Sequence, residues 1–321
     1  MKNINFYTNK FLNLKVSRSH GVAPNKPILL LSVIEMIGLG ILRTNEIPLS
    51  GELIATFLNF WSHLEPIRKP NIGLPFYHLI SDKFWHYRMK PGFESLLTAK
   101  VQIRSPYTIR ETVEYAYLDW ELWELLQNAE NRSILTSVLI NKWFADKYQQ
   151  IEKLLEINVF GELEEKLRAQ GGKVYEPDEL KDKETFVVEQ KSIIRDTAFR
   201  KLVVSTYNHT CALCGMQVLD NIGQNIVDGS HIMPFSQFYD DRINNGISLC
   251  KNHHWAFDRF WFTLDDDYTI IVDNKLQEKS PNAKPIQEYR GDTIILPNQS
   301  QYYPRVDAIG WHRQEFLRRT A

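Results

Sequence analysis

The sequence predicts an α+β protein of two domains, on three observations. Apolar runs of helical length crowd the first half, short strand-like stretches and loops fill the last third, and Cys211, Cys214 and Cys250 all fall in one forty-residue window. A length of 321 residues, 43% hydrophobic and 24% charged, is enough for two separate cores and excludes the disordered and collagen-like classes. The boundaries expected are a helix-rich α/β domain over 1–155, a linker over 156–195 and a second domain over 196–321.

Taken in order, "SRSHGVAPNKP" is turn-rich, and the run from Pro27 to Leu39 has helical length and apolar density. Pro27 suits a first helical turn, where its missing N–H costs nothing. Glu35 and two glycines cut "KPILLLSVIEMIGLGIL", so it reads as a core helix and no membrane partner is expected. The start "MKNINFYTNKFLNL" lacks a signal-peptide pattern, which places the protein in the cytoplasm. "SGELIATFLNFWSHL" (50–64) reads as a helix capped by Ser50. "PIRKPNIGLPFYHLISDKFWHYR" reads as a hairpin or two edge strands around Ser81, Asp82 and Lys83. Residues 115–128 and 132–144 read as further helices. The stretch 155–195 is polar and apolar-poor, as expected of a linker with a short helix. Beyond Lys201, "QNIVDGSHIMPF", "WFTLDDDYTIIVD" and "GDTIILP" read as strands, and "AIGWHRQEFLRR" as a closing helix.

The chemistry concentrates in the last third. Cys211-x2-Cys214 followed by Cys250-x2-His253 is a pair of two-ligand knuckles, the spacing that brings four ligands around one tetrahedral zinc ion. An odd, clustered cysteine count argues against a disulfide framework. The zinc would be structural, contributing on the order of 10 kcal/mol to folding a small loop-rich unit. Adjacent His253 and His254 would point about 100° apart on a helix, so one ion cannot easily take both. His254 shares a helical face with Asp258, four residues on, where a second ion could bind. The other half of that site is expected from the strand carrying Asp228, Ser230 and His231.

The order His231, Asn245, His254, embedded in "DGSHIMPF", "NNGISLC" and "NHHWAFDRF", resembles the HNH nucleases with their ββα-metal fold, over roughly residues 200–275. The resemblance implies His231 as the general base that activates water, Asn245 as the brace of the loop and of that histidine, and His254 as a ligand of the catalytic Mg²⁺ or Mn²⁺. Asp228 and Asp258 are the candidate acidic ligands, because Ser230 stands where many members of the family carry an acidic residue or a histidine. Asn244 competes with Asn245 for the bracing role, and Arg242 and Arg259 are candidate phosphate contacts. A histidine titrating near neutrality and a Lewis acid suit phosphodiester hydrolysis.

Charge is uneven along the chain. Residues 1–110 carry fourteen Lys/Arg against six Asp/Glu, a surplus of eight, so with a net charge of −1 the remainder carries −9. That asymmetry is compatible with a DNA-facing first domain. "GVAPNKPILLLSVIEMI" and "LPFYHLISDKFW" resemble the sulfur-binding domains of phosphorothioate-dependent, type IV restriction endonucleases, and "TIILPNQSQYYPRVDAIGWHRQEFL" is similar to the tail that follows the nuclease in that group. The resemblance implies an apolar dimple flanked by basic side chains, with Asn25, Lys26, Leu74, Pro75, Tyr77 and His78 at the matching positions. Arg18, His20, Arg68, Lys69 and Arg88 join Lys26 as candidate contacts to the DNA backbone. Asn25 and Leu74 depart from the histidine and tyrosine usual there.

These readings converge on a modification-dependent endonuclease acting on double-stranded DNA. A homodimer is expected, because two strands must be cut and each chain carries one nuclease site. The alternatives are an HNH nuclease reading a modified base or plain sequence, an inactive zinc-stabilised DNA-binding protein, and a zinc-stabilised protein-interaction module.

Overall fold

The structure is a computed structural model that describes every residue outside positions 1, 18–22, 99–102, 148–150, 221–224, 280–282 and 321. Among the described residues it comprises helices and three two-stranded antiparallel sheets, and it divides into two compact units: Met1–Glu162 with Lys181–Arg195, and Leu163–Leu180 with Asp196–Ala321. Among the described residues no helix is long and apolar enough to cross a membrane.

In the first unit, α1 (Ile4–Leu12) precedes α2 (Asn25–Gly38), α3 (Gly51–Leu64) and α4 (Gly73–His78). Helix α2 is apolar on nearly every side and is buried from Lys26 to Ile34, as such a helix must be. Each fully buried Leu or Ile there contributes roughly 1.5–3 kcal/mol. Helix α3 starts where its cap predicts, with Ser50 Oγ accepting from the Leu53 N–H at 3.3 Å. After β1 (Trp85–Met89), α5 (Ser95–Thr98) and α6 (Pro106–Thr112), strand β2 (Val113–Leu118) pairs antiparallel with β1, Trp85 opposite Leu118. Helices α7 (Trp120–Gln127) and α8 (Ala129–Trp143) follow and pack on α2.

Three expectations are corrected here. The region around Ser81 is not a hairpin: "GLPFYH" is helix α4, a 3-10 turn spans Leu79–Asp82, and β1 finds its partner in β2. Period-two reading cannot see that partner, and tertiary contact decides the start of α4, where a Cβ on Gly73 would lie 2.1 Å from the Arg104 carbonyl oxygen. The helix expected over 115–128 begins only at Trp120, because Val113–Leu118 is captured by β1. The segment expected to be a linker holds α9 (Val159–Ala169) and much of α10 (Thr185–Thr206). Helix α10 is held by its apolar residues on both sides of Arg195: Ile193 is buried in the first core, and Phe199 and Val203 in the second.

In the second unit, β3 (Val227–His231), a single turn α11 (Phe235–Phe238) and β4 (Gly246–Cys250) lead directly into α12 (Lys251–Asp258). Strands β3 and β4 pair with Val227 opposite Cys250 and His231 opposite Gly246, giving a ββα unit. Residues Asp196–Thr206 of α10 lie on this hairpin at its glycines: a Cβ on Gly229 would sit 2.9 Å from Arg200 Cα, and one on Gly246 2.3 Å from Val203 Cγ2. Strands β5 (Phe262–Leu264) and β6 (Ile270–Val272) form the third sheet. Helix α13 (Val306–Thr320) buries Ala308, Ile309, His312 and Phe316, and packs against β5.

Candidate metal centre and active site

The two knuckles meet as their spacing predicts. Ligand atoms of Cys211, Cys214, Cys250 and His253 all lie within 4.8 Å of one another. His253 Nδ1 is 3.2 Å from Cys250 Sγ and 3.5 Å from Cys211 Sγ, close to the edges of a tetrahedron around zinc. The first knuckle turns through Gly215 at φ +72°, with the Gly215 N–H donating to the Cys211 carbonyl. In the second, Cys250 ends β4 and caps α12, which sets His253 one turn into the helix. The donors fit zinc chemically as well. Crowded together, they cannot each keep an ordinary proton: hydrogen bonds with Cys211 and Cys214 hold the Cys250 thiol far down, and hydrogen bonds with Cys214 and Cys250 push Cys211 up. Burial opposes a charge on His253, yet hydrogen bonds to Cys214 and Cys250 raise it to about 9.

One residue later, His254 turns to the other side of the helix. Together with His231, Arg200, Asp258, Glu315 and Arg319 it lines a cavity of about 550 Å³. Its Nε2 lies 3.5 Å from Asp258 Oδ2 and its Nδ1 lies 3.8 Å from Asp228 Oδ2. The two carboxylates therefore address opposite ring nitrogens, and the structure does not bring Asp228, His254 and Asp258 to one point. Asp228 is already engaged, accepting from Arg200 Nη1 at 2.7 Å and Lys251 Nζ at 3.0 Å. Burial would raise its pKa, but those two cations hold it below the usual carboxylate range. Asp258 is the more exposed of the two. With 3.5 Å between them, the His254 nitrogen and the Asp258 oxygen are within reach of a single ion at about 2.1 Å from each. Burial also lowers the His254 pKa, against the pull of Asp258 and Asp228, which favours the neutral, ligating form.

His231 ends β3 with its ring stacked on Phe199, centroids 3.7 Å apart and 6° from parallel. Its Nε2 is 2.7 Å from Asp241 Oδ1. Asn245 is fully buried, and its side chain bonds to backbone. Its Oδ1 accepts from the Met233 N–H, and its Nδ2 donates to the carbonyls of Met233 and Asp240, so it pins both ends of the loop after His231. Asn244 Oδ1 has no such partner. Arg242 is paired twice with Asp240, and the Arg259 guanidinium lies 3.5 Å over the Trp255 ring. Asp241 escaped sequence reading because nothing local distinguishes it from Asp240.

In the first unit, Asn25, Lys26, Leu74, Pro75 and His78 line one cavity of about 540 Å³, joined by Lys15, Val16 and Arg104. Lys15 and Arg104 carried no sequence signal. Lys26 is buried, and its Nζ donates to Asp82 Oδ2 at 2.6 Å and Ser81 Oγ at 3.0 Å. Burial lowers the pKa of His78, and the neighbouring Arg104 and Lys26 add to that. Tyr77 instead lines a smaller apolar cavity of about 120 Å³ with Phe76 and Tyr87. Arg88 lies on the exposed side of β1, 3.8 Å from Glu114, and Lys69 pairs with Asp182. Arg18 and His20 lie outside the described residues.

Residues 211–265 match the family described as HNH endonuclease, a span that contains the zinc-type cluster, His231, Asn245, His254 and Asp258. Among solved structures, a modification-dependent restriction endonuclease, TagI, is 22% identical over 38% of this chain and 38% of its own, with a TM-score of 0.29. The chain thus spans well under half of that protein's length. No curated protein matches.

Proposed function

We propose that this chain is a metal-dependent DNA endonuclease whose first unit selects modified DNA, phosphorothioate-marked DNA above all. The observation that carries the reading is the placement of His231, His254 and Asp258 around one cavity, immediately beyond the Cys3His cluster. A structural zinc at that cluster would stiffen the start of α12 and so aim His254. A catalytic Mg²⁺ or Mn²⁺ on His254 and Asp258, with Asp228 behind, would neutralise charge on the phosphate and on the leaving oxygen.

His231 is the general base. Its Nε2 is occupied by Asp241, so Nδ1 is the nitrogen left to take a proton from water as the water oxygen attacks phosphorus. The P–O3′ or P–O5′ bond then breaks, the leaving oxygen takes up a proton from solvent water, and His231 returns its proton to solvent. Asn245 keeps the loop between His231 and Asp241 in place. Arg200 and Arg319 supply positive charge at the cavity wall for the DNA backbone.

The first-unit cavity supports the sulfur reading by its chemistry. Leu74, Pro75 and Val16 give an apolar wall, and Lys15, Lys26 and Arg104 give charge. Sulfur is larger and less strongly hydrated than oxygen, so such a wall favours it, while the charges hold the phosphate. We further propose a domain order of DNA reader then nuclease, a cytoplasmic location and a homodimer on DNA.

Cleavage of phosphorothioated, base-modified and unmodified duplexes, each with Mg²⁺ or Mn²⁺, tests both parts. The expected result is cutting of phosphorothioated DNA, lost in His231→Ala with zinc content and DNA affinity retained. Cutting of base-modified DNA alone would refute the sulfur reading, and no cutting of any duplex would refute the nuclease.

A further inference from the structure

We propose that Asp241 is a positioning residue for His231, forming with it a carboxylate–imidazole pair that sets the tautomer and orientation of the base; this rests on the nuclease reading above. Asp241 is only 6% exposed, and its Oδ1 lies 2.7 Å from His231 Nε2. A carboxylate only accepts hydrogen bonds at neutral pH, so the proton sits on Nε2 and the Nδ1 lone pair is left free. The imidazolium formed when Nδ1 gains a proton is then met by a negative charge already in place.

The backbone around Asp241 is held from both sides. The Asp241 N–H donates to the Lys173 carbonyl, and the Ile243 N–H to the Gly171 carbonyl. Gly172, at φ +94°, lets that segment lie so close that a Cβ would fall 2.3 Å from the Asp241 carbonyl oxygen. On the other side, Asn245 Nδ2 holds the Asp240 carbonyl. Phe199, stacked on the ring face at 3.7 Å, resists rotation of the ring out of that plane. Two direct contacts from separate segments, the Asp241 carboxylate at Nε2 and the Phe199 ring on its face, therefore fix one imidazole. Asn245, expected to brace the loop and the histidine, bonds through its side chain to the Met233 and Asp240 backbone of the loop that delivers Asp241.

The test uses the full chain with Mn²⁺ and cleavable duplex, comparing wild type, Asp241→Asn, His231→Ala and the double variant. Asp241→Asn keeps the shape and removes the charge, and its kcat is expected to fall a hundred-fold or more with DNA affinity and zinc content unchanged. The double variant is expected to cut no more slowly than His231→Ala, because residues acting as a unit are not additive. A wild-type kcat in Asp241→Asn, or a double variant clearly slower than His231→Ala, overturns the proposal. Nitrogen NMR of labelled histidine supplies a readout independent of cleavage: His231 should carry its proton on Nε2 at pH 7.5. A proton on Nδ1 overturns the pair even if the enzyme is active. Absence of cutting in wild type with the Nε2 tautomer present would sink the nuclease reading and leave the pair standing.

Discussion

His312 makes the stability of the second unit depend on pH in a calculable way. Its ring lies between Phe257, 3.8 Å away and 3° from parallel, and Phe260, 4.6 Å away. Nε2 donates to the Phe257 carbonyl at 3.2 Å, and Nδ1 pairs with Thr263 Oγ1 at 2.9 Å. A carbonyl only accepts, so the native ring is the neutral Nε2–H form with Thr263 donating. Burial is the main cause that lowers its pKa from 6.5 to about 4, with Arg319 adding and the Phe257 carbonyl opposing. Between those values the unfolded chain binds a proton that the native ring refuses, so stability rises with pH across the window. Below about 4 both states are protonated and the slope vanishes. At about 1.4 kcal/mol per unit, the loss from pH 7.5 to 5.0 is roughly 2 kcal/mol, and roughly 3 kcal/mol over the whole window. His312→Gln cannot titrate. It should be the less stable protein at pH 7.5, since it loses the stacking, and the gap should close by about 2 kcal/mol at pH 5.0. Urea unfolding followed by tryptophan fluorescence, at saturating zinc for both proteins, measures the gap. A gap that stays constant from pH 7.5 to 5.0 refutes the reasoning.

Three further outcomes are expected. His253→Ala should lose bound zinc and lower the melting temperature, whereas His254→Ala should keep both and lose metal-dependent cleavage; equal zinc loss in the two would contradict the division of labour along α12. Gly246→Ala drives a methyl to within 2.3 Å of Val203 Cγ2, and overpacking of that kind costs about 1–3 kcal/mol, with Val203→Ala in the same chain restoring part of it in thermal unfolding. Lys26→Met strands the buried Asp82 carboxylate and should cost about 3–5 kcal/mol, while Lys26→Met with Asp82→Asn should refold to near wild-type stability. That double variant should still bind DNA more weakly, with a shallower salt dependence, and unchanged affinity in a filter-binding titration would remove Lys26 from the DNA-reading surface.

Some of this was legible from local pattern because the physics is local. Both ligand knuckles lie within four residues, so Cys211, Cys214, Cys250 and His253 were recognisable without a fold, and a tight turn or one helical turn is all that each requires. Adjacent His253 and His254 had to face different ways on a helix, and they do. Helices α2 and α3 announce themselves through apolar run length and the Ser50 cap. The hairpin misread at Ser81 and the helix misplaced at 115 fail together, because β1 and β2 define each other across a long separation and neither shows its partner locally.

Tertiary structure alone decided the rest. That Asp228 faces one ring nitrogen of His254 and Asp258 the other depends on the turn of a single imidazole and on the cations Arg200 and Lys251, which come from two different helices. That Asp241, rather than Asp240, meets His231 depends on an irregular loop pinned by Gly171–Lys173 on one flank and Asn245 on the other. Residue type and spacing along the chain determine which groups can ligate or titrate. Which of them share a point in space is settled by close packing between distant segments, so close that a Cβ added at Gly172 or at Gly246 would fall 2.3 Å from a neighbouring atom.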